Sequence, residues 1–180
     1  MSALFTFRID GAFRLTSEWI SLRFERAAVT RPVLAASGGE VVVRLPAALD
    51  LERPAVQAWA NRVVVEQLRR RAQAVLPERF DALARRHGVR YARLSVRNVR
   101  TRWGSCSASG TVSLSLWLML LPARFVDYVL AHELAHLDEM NHGPRFWALL
   151  DRYLGAPGAG RRTQRELRAY FRALFPGRAR

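Results

Sequence analysis

The chain has 180 residues, half of them hydrophobic, and a formal net charge of +14, enough for one domain with a substantial core and cramped for two. Cys106 is the only cysteine and excludes an intrachain disulfide; the longest apolar run, Val112 to Leu121, is interrupted by Ser113 and Ser115 and falls short of the roughly 20 residues that span a bilayer. With no signal-peptide pattern in Met1 to Asp10, a soluble cytoplasmic protein without a membrane partner is expected, and no feature specifies an oligomeric state.

The predicted elements begin with a β-rich region over residues 1–50. Leu4 to Ile9 alternates imperfectly before Asp10-Gly11, and Phe13 to Leu15 follows, which predicts an antiparallel hairpin around an Asp-Gly turn. Ser37-Gly38-Gly39 then precedes a Val-rich strand over Glu40 to Leu45 that ends at Pro46. Residues 51–88 read as helical. Pro54 opens a segment in which Val56, Trp59, Ala60, Val63, Val64 and Leu68 recur at intervals of three and four. A second short helix is predicted from Pro77 to about His87, where His87 would act as a cation at the helix C-terminus.

Residues 89–154 carry the chemistry. Tyr91 to Val99 and Thr111 to Leu118 are predicted strands, joined by the compact loop Arg102-Trp103-Gly104-Ser105-Cys106-Ser107-Ala108-Ser109-Gly110. The Ser-rich second strand would leave an edge for an extended peptide. Pro122 to Leu137 is a predicted helix bearing His132-Glu133-Leu134-Ala135-His136, and three of the four histidines lie within His132 to His142. Residues four apart share a helix face, so His132 and His136 can present two imidazoles to one metal ion. Glu133 is rotated by about 100° and is placed to act as general base on a water.

His142 completes the set only if the chain turns back. In an unbroken helix it would lie about 15 Å beyond His132. Asn141 and Gly143 tolerate turns, and Pro144 suits the first position of a new helix. Three histidines with an open fourth position describe a catalytic zinc site, whereas structural sites are closed by a fourth protein ligand. Asp138 and Glu139 are rival ligands or acceptors for a histidine N–H, with solvated helix-end carboxylates as the plainer reading. Tyr128, one turn before His132, packs or hydrogen-bonds near the metal.

The helix from Pro144 to about Leu154 places Phe146, Trp147, Leu150 and Leu154 on a core face. Over residues 155–180 a last helix after Gly160 sets Leu167, Tyr170, Phe171, Leu174 and Phe175 opposite Arg161, Arg165, Arg168 and Arg172. All 29 basic residues are Arg. Their scatter makes nucleotide or nucleic acid a secondary candidate partner and points as much to a coding bias.

Arg102-Trp103-Gly104-Ser105-Cys106, Tyr128-Val129 leading into the two-histidine motif, and Asn141-His142 followed by Phe146-Trp147 together resemble the YgjP-like family of zinc-dependent hydrolases, relatives of the SprT-like and minigluzincin-type metallopeptidases. The resemblance is most specific over Val89 to Leu154. It implies an α+β, zincin-like single domain over 1–180, with His132, His136 and His142 as zinc ligands and Glu133 as catalytic base. Two departures stand out: Glu139 occupies the position of the turn-forming Gly of metzincins and no Met follows His142, and Ser115 stands where relatives commonly carry Asn. Arg102 is the further catalytic candidate, for steadying an oxyanion, against an equally plausible structural ion pair. Cys106 reads as a loop-packing residue rather than a nucleophile.

The leading functional expectation is a zinc metallopeptidase acting on peptide or protein. The alternatives are hydrolysis of a phosphoanhydride or nucleotide, with arginines holding phosphate oxygens, and a nucleic-acid-associated protein with a structural metal.

Overall fold

The computed structural model describes residues 6–174. Strands and helices follow in separate runs, an α+β arrangement, and the chain divides into two compact units whose segments interleave along the sequence. The first takes the chain up to Val75 with Val96–Thr101 and Ser115–Pro122; the second takes Leu76–Ser95, Arg102–Leu114 and the chain from Ala123.

The first unit is built on a four-stranded sheet of β1 (Arg14–Thr16), β2 (Ser21–Ala27), β3 (Val33–Ser37) and β4 (Glu40–Pro46), in the order β1-β2-β4-β3. It is mixed rather than antiparallel throughout. The pairs β1–β2 and β3–β4 are antiparallel, whereas β2 and β4 run parallel with Leu22 opposite Val41 and Phe24 opposite Val43. Gly38 and Gly39, both at positive φ (58° and 99°), make the tight β3–β4 turn, which places β3 at the outer edge and β4 against β2.

The hairpin predicted around Asp10-Gly11 is not formed. The reversal lies instead at Ser17 to Ile20, where the Ser17 amide donates to the Ile20 carbonyl at 2.9 Å, and Leu4 and Phe5 lie outside the described residues. The extended segment before β1 satisfies its backbone on side-chain amides rather than on a strand. Asn61 exchanges two 2.8 Å hydrogen bonds with the backbone of Phe7, and Gln57 accepts from the Ile9 amide at 3.0 Å and donates to its carbonyl at 2.6 Å. Two helical amides thus do what a neighbouring strand would do.

Asn61 and Gln57 stand on α1 (Pro54–His87), a single helix that runs through Pro77. The predicted break at Pro77 does not occur. Proline removes one hydrogen bond and clashes with the preceding turn at a cost of about 3 kcal/mol. Against that cost, Leu68, Ala72, Leu76, Phe80 and Ala84 form a buried stripe on both sides of Pro77, and each large apolar side chain contributes about 1.5–3 kcal/mol of burial.

In the second unit, β5 (Arg93–Arg97), β6 (Gly104–Cys106) and β7 (Thr111–Ser115) form a sheet ordered β5-β7-β6. The predicted loop at 102–110 therefore contains a strand. The β6–β7 turn closes through Gly110 at φ 75°, whose amide donates to Ser107 at 2.9 Å. The Ser-rich strand β7 is central and offers no edge; the edges are β5 and β6. Beyond β7 the expected strand gives way to a 3-10 helix, Leu116–Leu120, which Ser115 caps by accepting from the Trp117 amide while donating to the Val99 carbonyl at 2.7 Å. Ser115 is buried, which gives it a structural role within the first unit.

Three helices complete the second unit: α2 (Ala123–Ala135), α3 (Pro144–Leu154) and α4 (Ala159–Leu174). Helix α4 is amphipathic as predicted. Leu167 is buried, Phe171 meets Trp103 edge-on at 5.6 Å, and Tyr170 lies 5.2 Å from Phe125. Among the described residues no helix is long and apolar enough to cross a membrane.

Replacing Pro77 by Ala is predicted to raise stability by up to about 3 kcal/mol, by restoring the missing helical hydrogen bond. Urea denaturation checks this, and a loss of stability would contradict a continuous helix.

Candidate metal centre

His132 and His136 project from the end of α2, four residues apart. The helical ladder is still intact at this point, since the His136 amide donates to the His132 carbonyl at 3.2 Å. It then tightens: the amides of Leu137 and Asp138 reach back only three residues, and the Gly143 amide donates to the Asn141 carbonyl at 2.7 Å. Gly143 caps α3, with Pro144 in its first turn. This reversal returns His142 to the two helical histidines. The Trp147 indole N–H donates to the His142 carbonyl at 3.0 Å, tying the returning loop to α3.

The three imidazoles meet through their Nε2 atoms. Nε2 of His132 lies 3.2 Å from that of His136 and 3.1 Å from that of His142, and one ligand atom from each residue falls within a 4.8 Å cluster. Adjacent ligands of a tetrahedral metal with bonds of about 2.0–2.1 Å are separated by about 3.3–3.4 Å, so the spacing fits such an ion.

The protonation pattern fits as well. A backbone carbonyl only accepts, so the 3.1 Å contact of His136 Nδ1 with the Glu139 carbonyl puts the proton on Nδ1 and leaves Nε2 with its lone pair. Burial, reinforced by the neighbouring His136 and His142, pushes His132 down to about 3, and burial lowers His136 in the same direction. Neutral imidazole is the ligand form. The Tyr128 hydroxyl lies 3.5 Å from His132 Nδ1 and is otherwise buried, so the residue packs beside the ligand. Phe146, fully buried on α3, forms the apolar floor, with its ring 4.9, 4.6 and 4.6 Å from those of His132, His136 and His142.

Glu133 is turned away from this face and is 5% exposed. Its Oε2 is buried without a hydrogen-bond partner among the described residues. Burial pushes its carboxyl up to about 8, with the charge of Arg102 acting in the opposite direction. A divalent cation among the histidines would draw it further toward the carboxylate. Arg102 itself is exposed just before β6, and its charge acts on Glu133.

Other candidates fall away from the cluster. The Asp138 carboxylate accepts from the Tyr153 hydroxyl at 3.3 Å, and Glu139 contributes its backbone carbonyl rather than its carboxylate. His87 is not a helix-end cation: its ring stacks 4.3 Å from Tyr153, and burial together with Arg86 and Arg152 lowers its pKa toward the neutral form. Cys106 is half-buried and pushed up to about 11 by burial and by Glu133, which favours the thiol over the nucleophilic thiolate. Sequence reasoning missed the floor role of Phe146, read only as a core residue, and the strand in the Trp-Gly-Ser-Cys loop that carries Gly104 onto Glu133.

Residues 34–169 match the model of the YgjP-like, metallopeptidase domain family. The chain belongs to this family. No curated protein is matched by its sequence. Two solved structures are similar to it. The metallopeptidase zymogen abylysin of Pyrococcus abyssi shows 19% identity and a TM-score of 0.46, with 59% of this chain and 100% of that one covered. The metallopeptidase zymogen jannalysin of Methanocaldococcus jannaschii shows 16% identity and a TM-score of 0.44, with 51% and 91% covered.

The YgjP-like motif and its supporting contacts lead to a measurable ranking. His142→Ala should abolish stoichiometric binding of a divalent metal. Trp147→Phe, which removes only the indole N–H held by the His142 carbonyl, should weaken affinity on the order of tenfold. Chelator competition reads both, and equal affinity in Trp147→Phe would show that the tether does not hold the ligand.

Proposed function

We propose that this protein is a zinc-dependent peptidase in which His132, His136 and His142 hold the metal and Glu133 is the general base. The observation that carries this reading is a buried carboxyl group with an unpartnered oxygen, one residue from a cluster of three imidazoles whose ligand atoms lie together. Three nitrogen donors suit zinc and leave a position for a water. When bound there, zinc supplies Lewis acidity, lowering the pKa of water and polarising a carbonyl.

The chain's own groups then divide the work. Glu133 takes a proton from the attacking water and delivers it to the departing amine, which turns a poor leaving group into a neutral one. Phe146 keeps the floor of the site dry, which strengthens each electrostatic contact above it. Arg102 favours the ionised form of Glu133, and its charge is assigned to steadying negative charge on the reacting carbonyl. An extended peptide pairs its backbone with the open edge of β6, the strand that lies against α2. This use of backbone hydrogen bonds is what favours a peptide over a nucleotide.

Glu133→Gln should retain one metal ion per chain and lose about 10²–10⁴-fold in turnover, measured on a peptide library with metal content determined in parallel. Unchanged turnover would remove Glu133 from the mechanism. Hydrolysis of nucleoside triphosphates but of no peptide would replace the peptidase by the phosphoanhydride reading. Arg102→Ala should lower kcat by about 10-fold or more with metal content unchanged.

A further inference from the structure

Gly104 lies on β6, whose short run packs against α2. A Cβ built on it would stand 2.5 Å from Glu133 Oε1, 2.6 Å from its Cγ and 2.7 Å from its Cδ. Carbon does not approach carbon or oxygen that closely without something moving. The backbone at Gly104 does not itself call for glycine, because its φ is not among the positive values found at Gly38, Gly39, Gly88, Gly110, Gly155 and Gly158. What position 104 requires is space, and the group filling that space is the Glu133 side chain.

We propose that Gly104 is a positioning residue, whose missing side chain leaves the seat in which the Glu133 carboxylate is held beneath β6. The clash would involve the stem of Glu133 as well as its tip, so rotating the carboxylate about its last bond does not relieve it. Relief takes a change of χ1, since turning about the Cβ–Cγ bond leaves Cγ where it is, and a helical side chain has few such alternatives. Each of them swings the carboxylate away from its present position. A methyl group at 104 therefore either separates β6 from α2 or moves the carboxylate.

The catalytic consequence rests on the reading of Glu133 as base, whereas the seating does not. Misplacing a proton-transfer group by about 1 Å can cost on the order of 100-fold in rate. Glycine at 104 thus connects the strand proposed to bind the peptide with the residue proposed to activate water.

A double-mutant cycle in the full-length protein, stripped of metal, tests the seating without any substrate. Gly104→Ala should lower Tm by roughly 2–12 °C, as overpacking does in a chain of this size. In the Glu133→Ala background, where the space is vacated, the same change should cost about 1 °C or less, an allowance for measurement scatter in a site relieved of its clash. If Gly104→Ala alone is insoluble, the double variant should recover a folded protein. Equal losses in the two backgrounds, or failure of both to fold, would overturn the proposal. In the zinc-loaded protein, Gly104→Ala should keep full metal content and lose 10-fold or more in kcat, with KM changed less than threefold. Wild-type kcat in Gly104→Ala, with Glu133→Gln inactive, would sink the positioning role and leave the base intact. Full activity in Glu133→Gln would sink the base, and the Tm cycle would still report on the seating.

Discussion

Three imidazoles converge, with His132 Nε2 lying 3.2 Å from that of His136 and 3.1 Å from that of His142, and at least one of these nitrogens carries no proton. His136 is committed through Nδ1 to the Glu139 carbonyl, so its Nε2 can only accept, and it faces His132 Nε2 at 3.2 Å. A cation at their centre would find three nitrogen donors already gathered. The local structure brings them together. Helix α2 loses its regular ladder after Ala135, the chain reverses around Asn141 to Gly143, and Trp147 ties the His142 carbonyl back to α3. Phe146 underlies all three rings, so the ligands are oriented by packing as well as by hydrogen bonds.

Glu133 shares the helix with His132 and is rotated out of the histidine face, with its Oε2 unpartnered among the described residues, which is what the proposed proton transfer requires. Its burial raises the pKa, while Arg102 opposes that shift and a cation among the histidines would oppose it too. The absence of a side chain at position 104 lets β6 approach α2 so closely that the carboxylate is enclosed. The three histidines and Glu133 are thus held by different neighbours: the histidines by α3 and the returning loop, Glu133 by the edge strand β6.

The site was legible in the sequence because its determinants are local. The four-residue spacing of His132 and His136, the adjacent Glu133 and the turn chemistry of Asn141-His142-Gly143-Pro144 all act within a dozen residues. The start of α3 at Pro144 and its end at Leu154 were readable for the same reason, with Pro at one end and Gly155 at the other. What escaped depends on distant partners. The segment at Phe7 to Ile9 has the pattern of a strand, yet its hydrogen bonds go to Asn61 and Gln57 about fifty positions away. Pro77 carries a helix-breaking signal that a stripe of buried residues outweighs. The parallel pairing of β2 with β4 and the strand hidden in the Trp-Gly-Ser-Cys loop are both choices of neighbour, and periodicity within one segment does not encode them.

X-ray absorption at the zinc edge of the reconstituted protein tests the central claim most directly, because it reports which atoms hold the ion. Three imidazole nitrogens at about 2.0–2.1 Å and one light oxygen scatterer from solvent are predicted. A sulfur at about 2.3 Å, which only Cys106 among the cysteines could supply, or a shell closed by a fourth imidazole or a protein carboxylate, would contradict the account.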